Sequence, residues 1–156
     1  MKHFHFVSVI VLRPSGDKHQ VLMGKRSPEK YVGGTWQLIT GGIEAGETAW
    51  QAALREVREE TCLEIERLWR LPRITQFYFP AEDALFFAPM FAAMVSPDAV
   101  EICNPEHTEL AWLSFAEAHH RMMWPADRAA LAEVQELILN RSPAEEQLRI
   151  PLPQAP

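Results

Sequence analysis

The chain has 156 residues, of which 47% are apolar and 23% charged, and its formal net charge is −6. This length and composition are typical of one folded domain with its own core and exclude a fibrous or disordered protein. The negative charge argues against a nucleic-acid polymer as partner, because proteins that bind DNA or RNA usually carry a basic face that neutralises phosphates.

The first third of the chain predicts short strands that end at a pair of glycines. Phe4–Leu12 is rich in Val, Ile and Phe, and the apolar run Gln20–Gly24 follows a turn-forming segment, so the two predict a hairpin. Ser27–Thr35 is predicted to be a loop and Trp36–Ile39 another short strand. Gly41-Gly42 follows, and because glycine adopts backbone angles that other residues resist, a tight functional loop is expected there.

A helix is predicted from the N-cap Thr48 to about Thr61. Thr48 and Gln51 have the spacing of a capping box, in which each residue accepts a hydrogen bond from the backbone of the other. Apolar residues then recur with the i, i+3, i+4, i+7 spacing of a buried helix face: Trp50, Ala53, Leu54 and Val57.

The rest of the chain predicts four strands, two helices and a tail. The strands are expected at Leu63–Arg70, Arg73–Phe79, Leu85–Val95 and Leu110–Leu113, with Pro72, Pro80 and Pro97 as breaks. Ser114–His120 predicts a short helix, and Pro125 begins a longer one that runs through Asn140. The domain is expected to cover residues 1–141, and the tail 142–156, which contains four prolines, to be extended or disordered.

The cysteines and the hydropathy indicate an intracellular protein. Cys62 and Cys103 lie in no metal-ligand or C-x-x-C spacing, so both are interpreted as reduced core thiols. No stretch approaches the ~20 apolar residues that a membrane span needs. We expect a cytoplasmic protein with no membrane partner, and a homodimer stays open.

Three glutamates are expected on one side of the predicted helix. Glu59 follows Glu56 at i+3, and Glu60 follows it at i+4, so the three side chains lie on one side of a helix. Like charges at this spacing repel, so a positive partner is expected. Mg²⁺, or Mn²⁺ in its place, suits a carboxylate cluster beside a glycine loop better than zinc does, and it bridges substrate phosphates. The alternative is a solvated helix face on which Arg55 and Arg58 balance the acids.

The stretch that begins at Gly41 resembles the Nudix box, written G-x5-E-x7-R-E-U-x-E-E-x-G-U, where U is a bulky aliphatic residue. The matching positions are Gly41, Glu47, Arg55, Glu56, Val57, Glu59, Glu60 and Leu63. Cys62 stands where the pattern has its last glycine, at the end of the helix. The resemblance implies the α/β fold of that family, an α/β/α sandwich in which a mixed β-sheet lies between helices.

The same resemblance implies a Mg²⁺-dependent hydrolase that cleaves a diphosphate linkage. It assigns the metal ions to Glu56, Glu59, Glu60 and the carbonyl of Thr40, activation of the water to one of these glutamates, and orientation of the loop against the helix to Glu47 and Arg55. The reaction is an in-line attack by water on phosphorus, which needs no covalent nucleophile.

Outside the box the chain resembles bacterial dihydroneopterin triphosphate pyrophosphohydrolases, which also act on dATP-like nucleotides. The matching pieces are Val21-Leu-Met, Trp36-Gln, Thr40-Gly, Glu106-His107 ahead of Trp112-Leu113, and Trp124 with Arg128. This resemblance implies a nucleotide-like or pterin triphosphate as substrate and a monophosphate and pyrophosphate as products.

Four residues outside the box are candidates for the site, each with a simpler alternative. Glu106, or Glu109 in its place, is the candidate catalytic carboxylate, and His107 beside it a candidate substrate contact; both could be ordinary loop residues. Arg26 could pair bidentately with phosphate oxygens or be a plain surface arginine. Trp124 could stack on a flat heterocycle, although an aromatic beside a helix start is more often core. The aromatic residues Phe77, Tyr78, Phe79, Phe86 and Phe87 are interpreted as strand packing.

Two other functions stay open. A hydrolase of nucleoside diphosphates linked to sugars or other groups, such as nucleotide sugars or ADP-ribose, would use the same machinery and release two monophosphates. A non-catalytic nucleotide-sensing module would bind without turnover, but such modules usually lose box acids or gain a DNA-binding segment, and the sequence shows neither change.

Overall fold

The computed structural model describes residues 5–102 and 104–153, which form one sheet and its covering helices. The strands within these residues are β1 Phe6–Ser15, β2 Lys18–Arg26, β3 Trp36–Gln37, β4 Ile39–Gly42, β5 Arg67–Phe79, β6 Ala84–Met94, β7 His107–Leu113 and β8 Arg149–Ile150. The helices are α1 Ala49–Thr61, α2 Phe115–Arg121, α3 Pro125–Glu133 and α4 Ala144–Leu148, and α3 continues into a π-helical segment, Val134–Leu139. None of these helices is long and apolar enough to cross a membrane.

The sheet is mixed. Its strand order is β3-β2-β1-β6-β5-β8, with β4 beside β1 and β7 beside β2. The central strands β1 and β6 run parallel, whereas the other paired strands run antiparallel. Strand β1 therefore pairs with β2, β4 and β6, and β4, which carries the glycine pair, lies beside the centre of the sheet.

The sheet separates two hydrophobic layers. Successive side chains of a strand point to opposite faces, so β1 contributes to both layers. Val7, Val9 and Val11 pack against Ala53 and Val57 of α1. Ile10 and Leu12 pack on the other face, in the cluster that holds Ala118 of α2, Leu131 of α3 and Val134. The expected α/β/α sandwich is confirmed.

Helix α1 begins where the sequence predicted. The hydroxyl of Thr48 accepts from the amide of Gln51 at 3.4 Å, and Oε1 of Gln51 accepts from the amide of Thr48 at 2.9 Å. The capping box is confirmed. Ala53 and Val57 are fully buried against the sheet, which fixes the rotation of the helix and thereby the direction of its glutamates.

Strand β5 is longer and less interrupted than the sequence predicted. Arg67–Phe79 is one strand, and residues 63–66 are not part of it. Pro72 shifts the register between Arg70 and Ile74 instead of ending the strand. Proline cannot donate to the ladder, and a bulge is the place in a sheet where this loss is tolerated.

The expectation of an extended or disordered tail is wrong for residues 144–150. These residues form α4 and β8, and β8 pairs with β5 through Leu68 and Trp69. The indole of Trp69 donates to Glu145 at 2.8 Å, and Leu148 belongs to the buried core. The prolines do not prevent this docking, because Leu148 and Ile150 cover apolar surface and one end of the β5 edge.

Cys62 is exposed, so its interpretation as a core thiol is wrong; Cys103 lies outside the described residues. Cys62 ends α1 in the left-handed conformation, with φ of 58°, and its amide donates to the carbonyl of Arg58 at 2.8 Å. The backbone therefore makes the turn that the final glycine of the box would make. A residue with a Cβ makes this turn at a cost of about 1 kcal/mol.

Replacing Cys62 with Gly is expected to stabilise the protein. The gain in unfolding free energy is expected to reach at most about 1 kcal/mol, because glycine also gains freedom in the unfolded chain. That corresponds to a rise in Tm of about 2–4 °C. Thermal unfolding followed by circular dichroism measures it. Cys62→Ala is the matched control, since alanine removes the thiol and keeps the strained φ; an equal gain with alanine would contradict the explanation.

Candidate active site

The carboxylate of Glu56 lies directly on the backbone of Gly41. A Cβ placed on Gly41 would come within 1.9 Å of Cδ of Glu56, so only glycine permits this approach. Gly41 is held in β4 by its pairing with Val7 of β1. Thr40, whose carbonyl is the expected extra metal ligand, immediately precedes Gly41 and pairs with Ser8. The structure thus brings Thr40 and Glu56 to one place, through the contact between α1 and β4.

Arg55 joins the loop to the helix. Its Nε and Nη2 donate to the two carboxylate oxygens of Glu47, both at 3.0 Å, and Nη2 also donates to the carbonyl of Gly42 at 2.7 Å. Its Nη1 donates to Glu56 at 2.7 Å and to Glu59 at 3.2 Å. The hydrogen bonds from Arg55 lower the pKa of Glu47. Glu47 and Arg55 therefore form the bidentate pair that the sequence predicted as an orienting pair.

Glu60 is a buried carboxylate whose negative charge is only partly balanced by Arg26 within the part of the chain that the structure describes. Its residue is 6% exposed, and its Oε2 has no hydrogen-bond partner among the described residues. Nε2 of His107 lies 3.8 Å away. Burial, followed by the charges of Glu56 and Glu106, raises the pKa of Glu60 to about 8, against the opposing effect of Arg26. A buried carboxylate with an unsatisfied oxygen is costly unless a cation or donor reaches it.

The glutamate cluster fits a hard cation, although its side chains do not converge as they stand. Among the described residues, no three His, Cys, Asp or Glu side chains form a metal-ligand group. Nη1 of Arg55 bonds both Glu56 and Glu59, and Glu59 is the most exposed of the three glutamates. The unsatisfied oxygen of Glu60 and the carboxylate against Gly41 are oxygen donors of the kind that Mg²⁺ prefers.

Glu106 lies beside this cluster and Glu109 does not contact it. The carboxylate of Glu106 accepts from Nζ of Lys30 at 3.1 Å and lies 3.9 Å from Nη2 of Arg26. Its amide donates to Asn104, and its carbonyl accepts from Ser27, so the backbone of the loop is held in place. Glu109 is exposed and pairs with Lys25 in the sheet.

Arg26 connects Glu106 to strand β4. Its Nη1 donates to the hydroxyl of Thr40 at 3.5 Å, and its side chain is about one-fifth exposed. Arg26 is thus not a plain surface arginine. The guanidinium lies between Thr40 and Glu106, where it can donate to an anion that enters from solvent.

His107 is buried, which does not support a direct contact with substrate. Its imidazole packs on Gly24, where a Cβ would lie 2.3 Å from Cδ2 of the ring. Burial, and to a lesser degree Arg26, lowers the pKa of His107. The buried ring lies next to the carboxylate of Glu60 and is covered from solvent, so it borders the site without facing it.

Trp124 is half-exposed and not a core residue. It is the N-cap of α3, and its indole donates to Oε1 of Gln37 at 3.2 Å. Gln37 lies on β3, two residues before β4 begins. Since 41% of Trp124 remains exposed, a ring face is available for stacking beside the strand that carries Thr40.

Three phenylalanines contact one another at one end of the sheet. Phe6, Phe77 and Phe86, here called the aromatic cluster, contact one another with ring centroids 5.5–6.4 Å apart. Phe77 packs on Phe86 across β5 and β6, as the interpretation as strand packing has it, but Phe77 and Tyr78 are nevertheless 42% and 55% exposed. This exposure arises because β5 and β6 extend past the first residue of β1, which the sequence pattern of any one strand does not indicate.

Comparisons with known proteins agree with this geometry. Residues 4–134 match the family model described as NUDIX domain. The chain is 37% identical over 125 residues, 74% of its length, to an octanoyltransferase of Myxococcus xanthus, and 42% identical over 59 residues, 38% of its length, to the dihydroneopterin triphosphate diphosphatase of Escherichia coli strain K12. These alignments span 32% and 37% of the two relatives, about a third of their length.

The fold is also found among solved structures. The dihydroneopterin triphosphate pyrophosphohydrolase of E. coli superimposes with a TM-score of 0.68 at 23% identity, over 89% of this chain and 99% of that one. This likeness concerns the fold, whereas the family model covers the sequence from β1 into the π-helical segment, including the whole glutamate helix. The chain therefore belongs to the NUDIX domain family.

Proposed function

We propose that the protein is a Mg²⁺-dependent pyrophosphohydrolase that cleaves the diphosphate linkage of a nucleotide-like triphosphate, either dihydroneopterin triphosphate or a dATP-like nucleotide. The products are a monophosphate and pyrophosphate. One observation carries the proposal: the Oε2 of the buried Glu60 has no hydrogen-bond partner among the described residues, and Glu56, one helical turn earlier, lies against Gly41. Such a group is a poor structural element and a good cation ligand.

The residues of the site divide the work of binding, orientation and proton transfer. Mg²⁺, or Mn²⁺, would be held by Glu56, Glu59, Glu60 and the carbonyl of Thr40, and it supplies neutralisation of the charge on the attacked phosphate and the leaving group. Arg55 orients Glu56 through its hydrogen bond and holds the loop through Glu47. One carboxylate of the cluster, or Glu106 beside it, takes the proton of the attacking water.

Arg26 and Trp124 support a triphosphate as substrate. Arg26 lies between Thr40 and Glu106, where its guanidinium can hold a phosphate oxygen by charge-assisted hydrogen bonds. The half-exposed ring of Trp124 lies near β3 and offers a stacking surface for a planar group. With a cation bound at the glutamates, the charge of a departing terminal diphosphate would be neutralised there, and Arg26 could donate to its oxygens. Similarity to a dihydroneopterin triphosphate diphosphatase agrees with this choice.

The experiment is a substrate panel with product analysis. With Mg²⁺ present, dihydroneopterin triphosphate or dATP is expected to release pyrophosphate with a higher kcat/KM than ADP-ribose shows. Exhaustive EDTA treatment is expected to remove at least about 99% of the activity, since several kcal/mol of transition-state stabilisation depend on the cation. Returning Mg²⁺ should restore it, and the unfolding curve without metal confirms that the protein is still folded.

Three results would count against the proposal. Full turnover after EDTA treatment would exclude the metal. A higher kcat/KM for nucleotide sugars or ADP-ribose, with two monophosphates as products, would favour the hydrolase of linked nucleoside diphosphates. Tight binding of a nucleotide with no turnover of any compound in the panel would favour the sensing module.

A further inference from the structure

The loop between β2 and β3, residues 27–35, places a lysine beside the candidate active site. Nζ of Lys30 donates to Oε1 of Glu106 at 3.1 Å, and Oε2 of the same carboxylate lies 3.9 Å from Nη2 of Arg26. One carboxylate thus faces two cations, one at each oxygen. The sequence predicted only a loop for this segment, because nothing in its pattern indicates that Lys30 meets a residue 76 positions later in the chain.

Hydrogen bonds hold the backbone of this loop in place. Its ends are joined, since the amide of Gly34 donates to the carbonyl of Arg26 at 2.8 Å. The amide of Lys30 donates to the carbonyl of Ser27 at 3.0 Å, and the hydroxyl of Ser27, a residue only 5% exposed, donates to the carbonyl of Pro105 at 2.7 Å. Compact loops with joined ends frequently carry function. The two cations and the carboxylate between them are therefore positioned by one hydrogen-bonded unit of backbone.

The two cations can be reached from solvent. The side chains of Lys30 and Glu106 are each 39% exposed, and that of Arg26 is 21% exposed. An ion pair with this exposure contributes little to stability, so another anion can replace one of its members at small cost. An anion that takes the place of the carboxylate meets an ammonium and a guanidinium at once.

We propose that Lys30 and Arg26 together bind a phosphate group of the substrate, and that Glu106 occupies their donors until the substrate arrives. Carboxylate and phosphate both present a pair of oxygens that suits the same donors, so the place of one anion fits the other. A phosphate of the substrate carries at least as much charge as the carboxylate and brings further oxygens. The inference rests on the proposed function, because it needs a phosphate chain beside the glutamates.

The other arginine of the site is not available for this task. The donors of Arg55 bind the carboxylates of Glu47 and Glu56, so this side chain holds parts of the protein together. Arg26 and Lys30 instead share one exposed carboxylate. When a phosphate takes their donors, that carboxylate loses both of its cations, and the exchange needs no movement of the backbone.

Two variants serve as controls for Lys30→Ala. Lys18 is exposed and begins β2, the strand that Arg26 ends, so ~26 Å of strand separates the two residues. Lys18→Ala therefore removes the same charge from the protein at a distance from the site. Lys30→Arg keeps the positive charge of the loop and can donate to phosphate oxygens.

Equilibrium binding of two probes tests the contact. The probes are methylenediphosphonate, which has no anhydride bond to cleave, and dATP with a methylene group in place of its α,β-bridging oxygen, each titrated calorimetrically in Mg²⁺. Lys30→Ala is expected to weaken binding of both probes about tenfold, the effect of one lost charge-assisted hydrogen bond. Lys30→Arg should bind both nearly as wild type does, and Lys18→Ala should change neither. The Tm of Lys30→Ala should stay close to that of wild type.

Several outcomes overturn the inference. Wild-type affinity of Lys30→Ala for both probes would mean that Lys30 only holds Glu106, and weakening of the nucleotide analogue alone would place Lys30 at the sugar or the ring. Equal weakening by Lys30→Arg or by Lys18→Ala would exclude a specific contact, and no binding of the diphosphonate to wild type would exclude the phosphate site. Because these are binding measurements, Lys30-dependent affinity in a protein that turns over no triphosphate would refute the proposed function and leave the phosphate contact standing.

Discussion

Glu60→Gln is expected to lower kcat by about a thousandfold, the effect of losing a charged group worth roughly 4 kcal/mol in the transition state. The physical reason is that glutamine keeps the volume of the side chain and one oxygen but removes the negative charge that a cation requires. The fold is expected to survive, since glutamine keeps the size and shape of Glu60, which is buried on α1 but is not a member of the apolar cluster. Steady-state kinetics at saturating Mg²⁺ measure the loss.

The same substitution is expected to stabilise the metal-free protein at alkaline pH. The pKa of Glu60 is raised from 4.5 to about 8, so the folded state holds the proton more tightly than the unfolded state. The stability this provides is fully present below pH 4.5 and is lost as the pH rises to about 8. In EDTA at pH 9, Glu60→Gln should therefore melt above wild type, and Mg²⁺ should raise the Tm of wild type only.

An exposed glutamate just after the helix is the matched control for both measurements. Within residues 5–102 and 104–153 the one ion pair of Glu64 is with exposed Arg58, so Glu64→Gln should leave kcat and the alkaline Tm unchanged. A Glu60→Gln protein with wild-type kcat would remove Glu60 from the proposed site. A lower Tm than wild type in EDTA at pH 9 would show that Glu60 is held by a partner in the folded protein, and the missing-cation argument would fail.

Arg55→Lys is expected to lower both activity and stability, although it preserves the charge. Lysine cannot reproduce the planar contacts that Arg55 makes with Glu47, Glu56 and the carbonyl of Gly42. The carboxylates of Glu47 and Glu56 are largely buried and would lose donors. We expect a fall in kcat of about 10–100-fold through misplaced ligands, and a loss of about 2–3 kcal/mol of unfolding free energy.

Arg58→Lys is the control for the arginine, since it lies on the same helix one turn from its end and makes one exposed ion pair, with Glu64. Its effect on stability is expected to stay below about 0.5 kcal/mol, and its effect on kcat to be absent. Denaturant unfolding and kinetics test both variants. If Arg55→Lys were as harmless as Arg58→Lys, the contacts of Arg55 would be incidental to the site.

Local sequence was sufficient wherever local chemistry decides the structure. The capping box at Thr48, the apolar face of α1 and the spacing of Glu56, Glu59 and Glu60 follow from helix periodicity, so the helix and its acidic side were predicted from residues alone. The resemblance to the box also implied that Glu47 and Arg55 form a pair, and the structure shows their contact. The sequence left the turn at Cys62 open, because a residue with a Cβ stands there in place of the last glycine of the box, and only the structure showed that the turn is left-handed.

Long-range packing decided the rest. Three features of the site depend on segments that are distant in the chain and meet only in the sheet. They are the burial of Glu60, the contact of Glu56 with Gly41 and the position of Glu106 beside Arg26. The docking of α4 and β8 was not predicted, because the prolines of this segment suggested an extended or disordered chain. Prolines give no information on the apolar surface that Leu148 covers. The exposure of the aromatic cluster could not be predicted either. The pattern of a strand predicts which residues share a face, but the lengths of the neighbouring strands determine whether that face is covered.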